Sequence, residues 1–79
     1  MARVLLFGRL ADVAGWRDRL IEAPSLSALK ARLAGEDAGL AEALGGRGVQ
    51  VALDQVIVRG DAALSAATEV AFLPPMSGG

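Results

Sequence analysis

The chain has 79 residues, a formal charge of −1 and 53% hydrophobic residues, with no cysteine and no histidine. That length allows one small domain with a slim stability margin, because so short a chain leaves much of its surface in water. The missing residue types remove the commonest general base, the commonest metal ligands and any disulfide, and the scattered charges form no nucleic-acid-binding stripe.

Arg3 to Gly8 reads as a strand, with branched and aromatic residues at no helical spacing and a closing glycine. Arg3 and Arg9 bracket this apolar run, which is far too short to cross a membrane and precedes no small-residue cleavage site. A soluble, cytoplasmic protein is the expectation. Leu10 to Gly15 predicts a short helix with Gly15 past its end. Trp16 to Glu22 alternates charge and bulk like a half-buried strand, and Pro24 ends it. Ser25 is a good N-cap for a helix from Leu26. Leu26, Leu29 and Leu33 then form one apolar stripe, and Gly35 closes the helix. Glu36 to Leu44 predicts another short helical segment, broken by Gly45-Gly46. Val49–Leu53 and Val56–Val58 are strands joined by Asp54-Gln55, the length of a tight hairpin. Glu69–Leu73 is the last strand, and Pro74-Pro75 stops further pairing. An α+β fold follows, one sheet packed on one main helix with one or two short extra helices. Residues 1–73 form the domain and 74–79 an extended tail.

Strand alternation divides the apolar residues between two faces. Val4, Leu6, Val51, Leu53, Val56, Val58, Val70 and Phe72 face the helix. Leu5, Phe7, Ile57, Ala71 and Leu73 face away, where a sheet covered on one side should carry polar residues. Either the opposite face binds a partner, or these are strands buried on both sides; a shift of one residue in register would exchange the sets.

Catalytic groups are hard to assemble. Ser25, Ser27, Ser65 and Ser77 have no histidine partner, and Asp54, Asp61 and Glu69 are lone carboxylates. Gly45-Gly46-Arg47-Gly48 lacks the lysine and following helix of a phosphate-binding loop. Trp16, the single tryptophan, reads as core or hairpin packing. What remains is Pro74 to Gly79. A small-residue end of this kind is either frayed or reactive. Six extended residues reach ~20 Å, the prolines stiffen the segment, and glycines without β-carbons enter a channel too narrow for other residues. A carboxylate delivered in this way can attack the α-phosphate of ATP in a partner enzyme.

Phe72-Leu-Pro-Pro-Met-Ser-Gly-Gly79 resembles the C-terminal signature of the small subunit of molybdopterin synthase, a family of ubiquitin-like β-grasp sulfur carriers. The resemblance extends to Val4-Leu-Leu-Phe7, Ser25-Leu-Ser-Ala-Leu29, Val51-Ala-Leu-Asp-Gln55 and Glu69-Val-Ala-Phe72. It implies a β-grasp fold with a mixed sheet of four to five strands. It also implies that the Gly79 carboxylate, presented with Gly78, is adenylated with ATP by an E1-like activating enzyme. A sulfur donor, supplied indirectly by a cysteine desulfurase or rhodanese, then displaces AMP. The resulting C-terminal thiocarboxylate passes sulfur to cyclic pyranopterin monophosphate in the large, catalytic subunit of the synthase. Pro74, Pro75, Met76 and Ser77 position the tip. Phe7, Ile57 and Leu73 match an apolar patch that docks on that subunit. No bound cofactor or metal, no nucleic acid and no membrane is implied, and the chain by itself is not an enzyme. Two positions depart from the family pattern: Asp54 replaces the usual asparagine, and Ala67-Thr68 replaces a Gly-Asp pair. A carrier for thiamine or tRNA thiolation, a protein modifier and a plain interaction module are the rival readings.

Overall fold

The computed structural model describes residues 1–75. Among these, β1 (Ala2–Leu6), α1 (Arg9–Ala14), β2 (Asp18–Ile21), α2 (Leu26–Glu36), α3 (Ala38–Leu44), β3 (Gln50–Leu53), β4 (Val56–Val58) and β5 (Glu69–Leu73) follow one another in the chain. The strands form one five-stranded sheet in the order β2-β1-β5-β3-β4. The first and last strands lie side by side and parallel, and every other pairing is antiparallel. This is the β-grasp arrangement, with one main helix and two short ones.

Register fixes the faces. Val4 lies opposite Val70 and Leu6 opposite Phe72, while Val51 lies opposite Phe72 and Leu53 opposite Val70. These rows face the helices. They join Leu10 of α1, Leu26, Leu29 and Leu33 of α2, and Leu40 of α3 in one core. Burying each large aliphatic or aromatic side chain contributes about 1.5–3 kcal/mol. All three helices supply residues to this one core, so the other face of the sheet has no helical cover among the described residues. Val56 shares the helix-facing register but sits on the edge strand beyond the reach of the helices, and it is 63% exposed.

The caps explain the helix limits. The Ser25 hydroxyl accepts the Ala28 N–H at 3.1 Å, as the capping argument predicts. Gly35 does not end α2. The helix continues to Glu36, and Asp37 ends it while its carboxylate accepts the Leu40 N–H at 3.1 Å to start α3. A single aspartate thus serves as the joint between two helices, and it outweighs the low helix propensity of the glycine before it. Glu36 stays helical and forms an ion pair with Arg19 at 2.9 Å.

Both departures from the family pattern have a physical account. Asp54 and Gln55 have φ of 47° and 70°, as a two-residue type I′ hairpin loop requires. The Asp54 carboxylate accepts the Glu69 N–H at 2.9 Å, and its own N–H donates to the Glu69 carbonyl at 2.9 Å. These two bonds tie the hairpin turn to the start of β5 and offset the strain of a left-handed aspartate. At the other departure, the Thr68 hydroxyl accepts the Ser65 N–H at 2.9 Å, and the Thr68 N–H donates to the Ser65 carbonyl at 3.1 Å. This closed turn needs no glycine.

Asp61 anchors the connection between β4 and β5 to the start of α2. Its carboxylate accepts the N–H groups of Ser27 and Ala62, each at 2.8 Å. The Ser27 bond, followed by the Ala62 bond, holds its pKa below the ordinary carboxylate value. A folded-state pKa below the unfolded one stabilises the protein above the ordinary carboxylate range, and the stabilisation fades as pH falls through about 4 and below. Asp61→Asn removes this titration. Urea unfolding at a series of pH values should show a shallower loss of stability for the variant below about pH 4. An unchanged acid slope would exclude Asp61 as a contributor.

Candidate functional site

The tail leaves from the centre of the sheet. β5 is flanked by β1 and β3, so Leu73 and the prolines after it emerge between the end of β1 and the start of β3. Two glycines stand on either side. Gly8 follows β1 with φ 55°, and Gly48 precedes β3 with φ 86°. A β-carbon on Gly8 would lie 3.1 Å from Pro74 Cγ, and one on Gly48 would lie 2.9 Å from Pro75 Cβ. Both glycines hold a backbone conformation that L side chains rarely adopt; at Gly48 a β-carbon would also overlap the Pro75 ring, and at Gly8 it would crowd that of Pro74. Together they form a slot that seats the root of the tail.

An apolar surface spreads from this slot across the outer face. Leu5, Ala71, Ala52 and Ile57 form one cross-strand row, with Leu73 opposite Gln50 in the next. Phe7 continues the alternation beyond β1, and its N–H donates to the Phe72 carbonyl at 3.3 Å. Phe7 is 45% exposed and Ile57 46% exposed; Leu73 is half-buried. The alanines at the centre keep the face shallow, so the larger side chains form its rim. From the start of β1 Arg3 reaches along the face to Asp18, which lies opposite Leu5, in a two-pronged ion pair with a closest approach of 2.7 Å. The Arg3 bond keeps the Asp18 carboxyl below its ordinary pKa.

On the helix side of the slot, Pro74 and Pro75 form one wall of a groove of about 600 Å³. Leu10 and Val13 of α1 and Ala43 of α3 provide apolar lining, and Arg9, Glu42 and Arg47 provide charge.

Phe7, Ile57, Leu73, Pro74 and Pro75 thus lie on one side of the domain, around the point where the tail begins. Met76, Ser77, Gly78 and Gly79 lie outside the described residues. Sequence reasoning did not identify Gly8 and Gly48 as part of the tail root. Gly8 read as the end of a strand and Gly48 as part of a glycine-rich stretch that lacks the features of a phosphate-binding loop. Nothing local in the sequence marks either one as a neighbour of the prolines, because that proximity comes from the pairing of β5 with β1 and β3.

A model of the ThiS family matches residues 4–79. The chain belongs to the ThiS family. It is a ubiquitin-like β-grasp protein of the sulfur-carrier type. The ThiS-family assignment is joined by close structural likeness to small archaeal modifiers. The crystal structure of SAMP1 from Haloferax volcanii superposes with a TM-score of 0.82 at 25% identity, covering 99% of this chain and 98% of that one. The solution structure of small archaeal modifier protein 1 from Methanosarcina acetivorans gives a TM-score of 0.87 at 19% identity, covering 99% and 95%; at that identity the likeness concerns the fold. No curated protein matches significantly. No helix among the described residues is long and apolar enough to cross a membrane.

The slot yields a comparison with an internal control. Gly60 has φ 80°, and a β-carbon added to it would meet no atom within 4 Å. Gly60→Ala and Gly48→Ala therefore carry the same backbone strain of about 1–2 kcal/mol. Only Gly48→Ala also displaces Pro75. Both variants should lose similar stability in thermal unfolding. In amide spectra, only Gly48→Ala should shift Leu73 and Met76. Equal shifts in the two variants would show that Gly48 does not seat the tail.

Proposed function

We propose that this chain is the sulfur-carrier subunit of a molybdopterin synthase. The observation that carries the reading is the placement of the tail root. The central strand ends in a glycine-framed slot, beside an exposed apolar face bearing Phe7, Ile57 and Leu73. Beyond the slot runs Pro-Pro-Met-Ser-Gly-Gly, the motif whose resemblance to the synthase small subunits is the most specific in the chain.

In this reading an E1-like enzyme binds the apolar face and draws the tail into its nucleotide site. An oxygen of the Gly79 carboxylate attacks the α-phosphate of ATP, pyrophosphate leaves, and an acyl-adenylate forms. A sulfur donor, loaded through a cysteine desulfurase or rhodanese, attacks the acyl carbon with its persulfide and AMP leaves; a thiol then cleaves the acyl disulfide, releasing the thiocarboxylate on Gly79 and leaving the donor sulfur in a disulfide with that thiol. The same face next docks on the large synthase subunit. There the tail delivers sulfur to cyclic pyranopterin monophosphate, and repeated deliveries complete the dithiolene. Gly78 and Gly79 pass the narrow channel because they carry no side chain, while Pro74, Pro75, Met76 and Ser77 set the reach. Such a cycle takes place in the cytoplasm.

The likeness to SAMP1 at 25% identity favours a second reading, in which the activated Gly79 is attached to lysines of other proteins. The two readings share the adenylate and divide after it. Incubation with ATP, a sulfur source and the activating enzyme should replace one oxygen of the chain by sulfur, read by intact-protein mass spectrometry. Deleting Gly79 should abolish that change without altering the unfolding midpoint. Accumulation of lysine-linked adducts with no thiocarboxylate would favour the modifier reading.

Phe7 tests the docking face. Placing a charge at an exposed apolar interface position typically removes a large part of the binding energy, about 2 kcal/mol or more, while leaving a surface side chain's contribution to folding small. Phe7→Asp should therefore weaken binding to the large subunit by more than about tenfold in calorimetric titration, with circular dichroism and unfolding unchanged. Unfolding of the variant would instead make Phe7 a core residue.

A further inference from the structure

The seven arginines of the chain divide into two groups, and the division follows the geometry of the tail. Arg3 is paired with Asp18, Arg19 with Glu36, and Arg32 with Glu36. Arg19 also lies over the Trp16 ring, 4.9 Å from its centroid. Arg9, Arg17, Arg47 and Arg59 are exposed and make no ion pair among the described residues. All four stand at the end of the domain from which the tail leaves. Arg9 and Arg47 share the groove with Pro74 and Pro75. The Arg17 carbonyl accepts the Leu6 N–H at 3.0 Å, which places Arg17 beside the end of β1. Arg59 follows Val58, the partner of Val51, at the same end of the sheet as the Gln50–Leu73 pair.

Acidic residues balance this end poorly. Glu42 lines the same groove and Asp12 lies on α1. The Asp18 carboxylate is engaged by Arg3 and the Asp61 carboxylate by backbone N–H groups. Glu22, Asp54 and Glu69 belong to the opposite end, near the N-terminus and the β3–β4 turn. A chain of net charge −1 therefore carries a local excess of positive charge around the tail root.

We infer that these four arginines form a collar that docks against an acidic protein rim around the channel that receives the tail. The inference rests on the proposed function, in which the tail enters a partner. The collar lies at the root, and the four residues after Pro75 span at most about 14 Å, so the arginines meet the mouth of the channel and not the chemistry at its end. Arg17 and Arg59 border the apolar Phe7–Leu73 face, while Arg9 and Arg47 stand across the slot on its helix side, so that charge flanks an apolar centre as at the periphery of an interface. Peripheral charges of this kind act chiefly on the rate of encounter and on partner choice. Four charges on a small, weakly acidic domain make a poor nucleic-acid surface, so an acidic protein is the better fit.

Two measurements test this. In the first, hexaglutamate is titrated into the full chain while the arginine Nε–H resonances are followed, with an RNA hexamer titrated in parallel. Arg9, Arg17, Arg47 and Arg59 should shift with hexaglutamate, and Arg3, Arg19 and Arg32 should not. Equal shifts at all seven, or tighter binding of the RNA, would overturn the proposal. In the second, association with the activating enzyme and with the large synthase subunit is followed by stopped flow for R9Q/R47Q and for R19Q/R32Q. The latter pair removes the same charge from β2 and α2, at the two arginines paired with Glu36 outside the collar. R9Q/R47Q should slow association about tenfold at low salt and flatten its salt dependence, with dissociation little changed. Equal rates for the two variants would overturn the collar while leaving the carrier reading intact. If neither enzyme binds the unmodified chain but the four arginines still select hexaglutamate, the carrier reading falls and what stands is an arginine cluster selective for an acidic protein surface of another partner.

Discussion

The parallel pairing of β1 with β5 is the constraint on which the rest of the structure depends. It joins the first and last strands at the centre of the sheet and stacks Val4 against Val70 and Leu6 against Phe72. Phe72 is wholly buried, so the strand cannot slide along its neighbours without exposing it. A slip of one residue would turn Phe72 outward and bring Leu73 into the core. The position of the last core residue therefore fixes where the chain becomes free to leave. The tail begins directly after Leu73 because Phe72 is locked, and the slot between Gly8 and Gly48 lies where that register brings it.

The same pairing organises the outer face. A sheet with helices on one side ordinarily presents polar residues on the other. Here the outer rows carry Leu5, Ile57, Leu73 and two alanines, with the paired charges of Arg3 and Asp18 along the β1–β2 side and Arg59 beside the Gln50–Leu73 pair. Buried residues from three helices and four strands form the core on the helix side, and the apolar outer face lies apart from it. In the proposed reading such a surface serves association, and its nearness to the tail root would let one docking event both hold the domain and present the tail. The centre formed by Ala52 and Ala71 is shallow, and Phe7 and Ile57 are the larger exposed side chains around it.

Loop chemistry supplies the rigidity that a carrier needs. Asp54, Asp61 and Thr68 each convert a connection into a hydrogen-bonded link. The first two attach it to a strand or helix start, and the third closes a turn before β5. Both carboxylates are exposed, so their value lies in geometry more than in net stability. They keep the hairpin and the β4–β5 connection aligned with β5, the strand from which the tail projects. Small domains have little core from which to draw stiffness, and such side-chain links compensate.

The sequence by itself determined the order of the elements, the Ser25 cap, the Asp54-Gln55 hairpin and the two apolar faces, because each rests on local spacing: period two in strands, three to four in the helix, and turn chemistry over a few residues. It also marked Pro74–Gly79 as the chemically distinctive segment. It misplaced the end of α2 at Gly35, since the cap formed by Asp37 competes with a glycine whose low propensity is the more visible signal. It overstated the cover on Val56, since alternation assigns a face but does not say how far a helix reaches across the sheet. Only the tertiary structure decided that Gly8 and Gly48 flank the prolines and that four arginines, from a helix start and three loops, stand at the same end of the domain. These residues come from distant stretches of the chain, and no local pattern encodes their meeting. It follows from strand order alone, which places the end of β5 between β1 and β3.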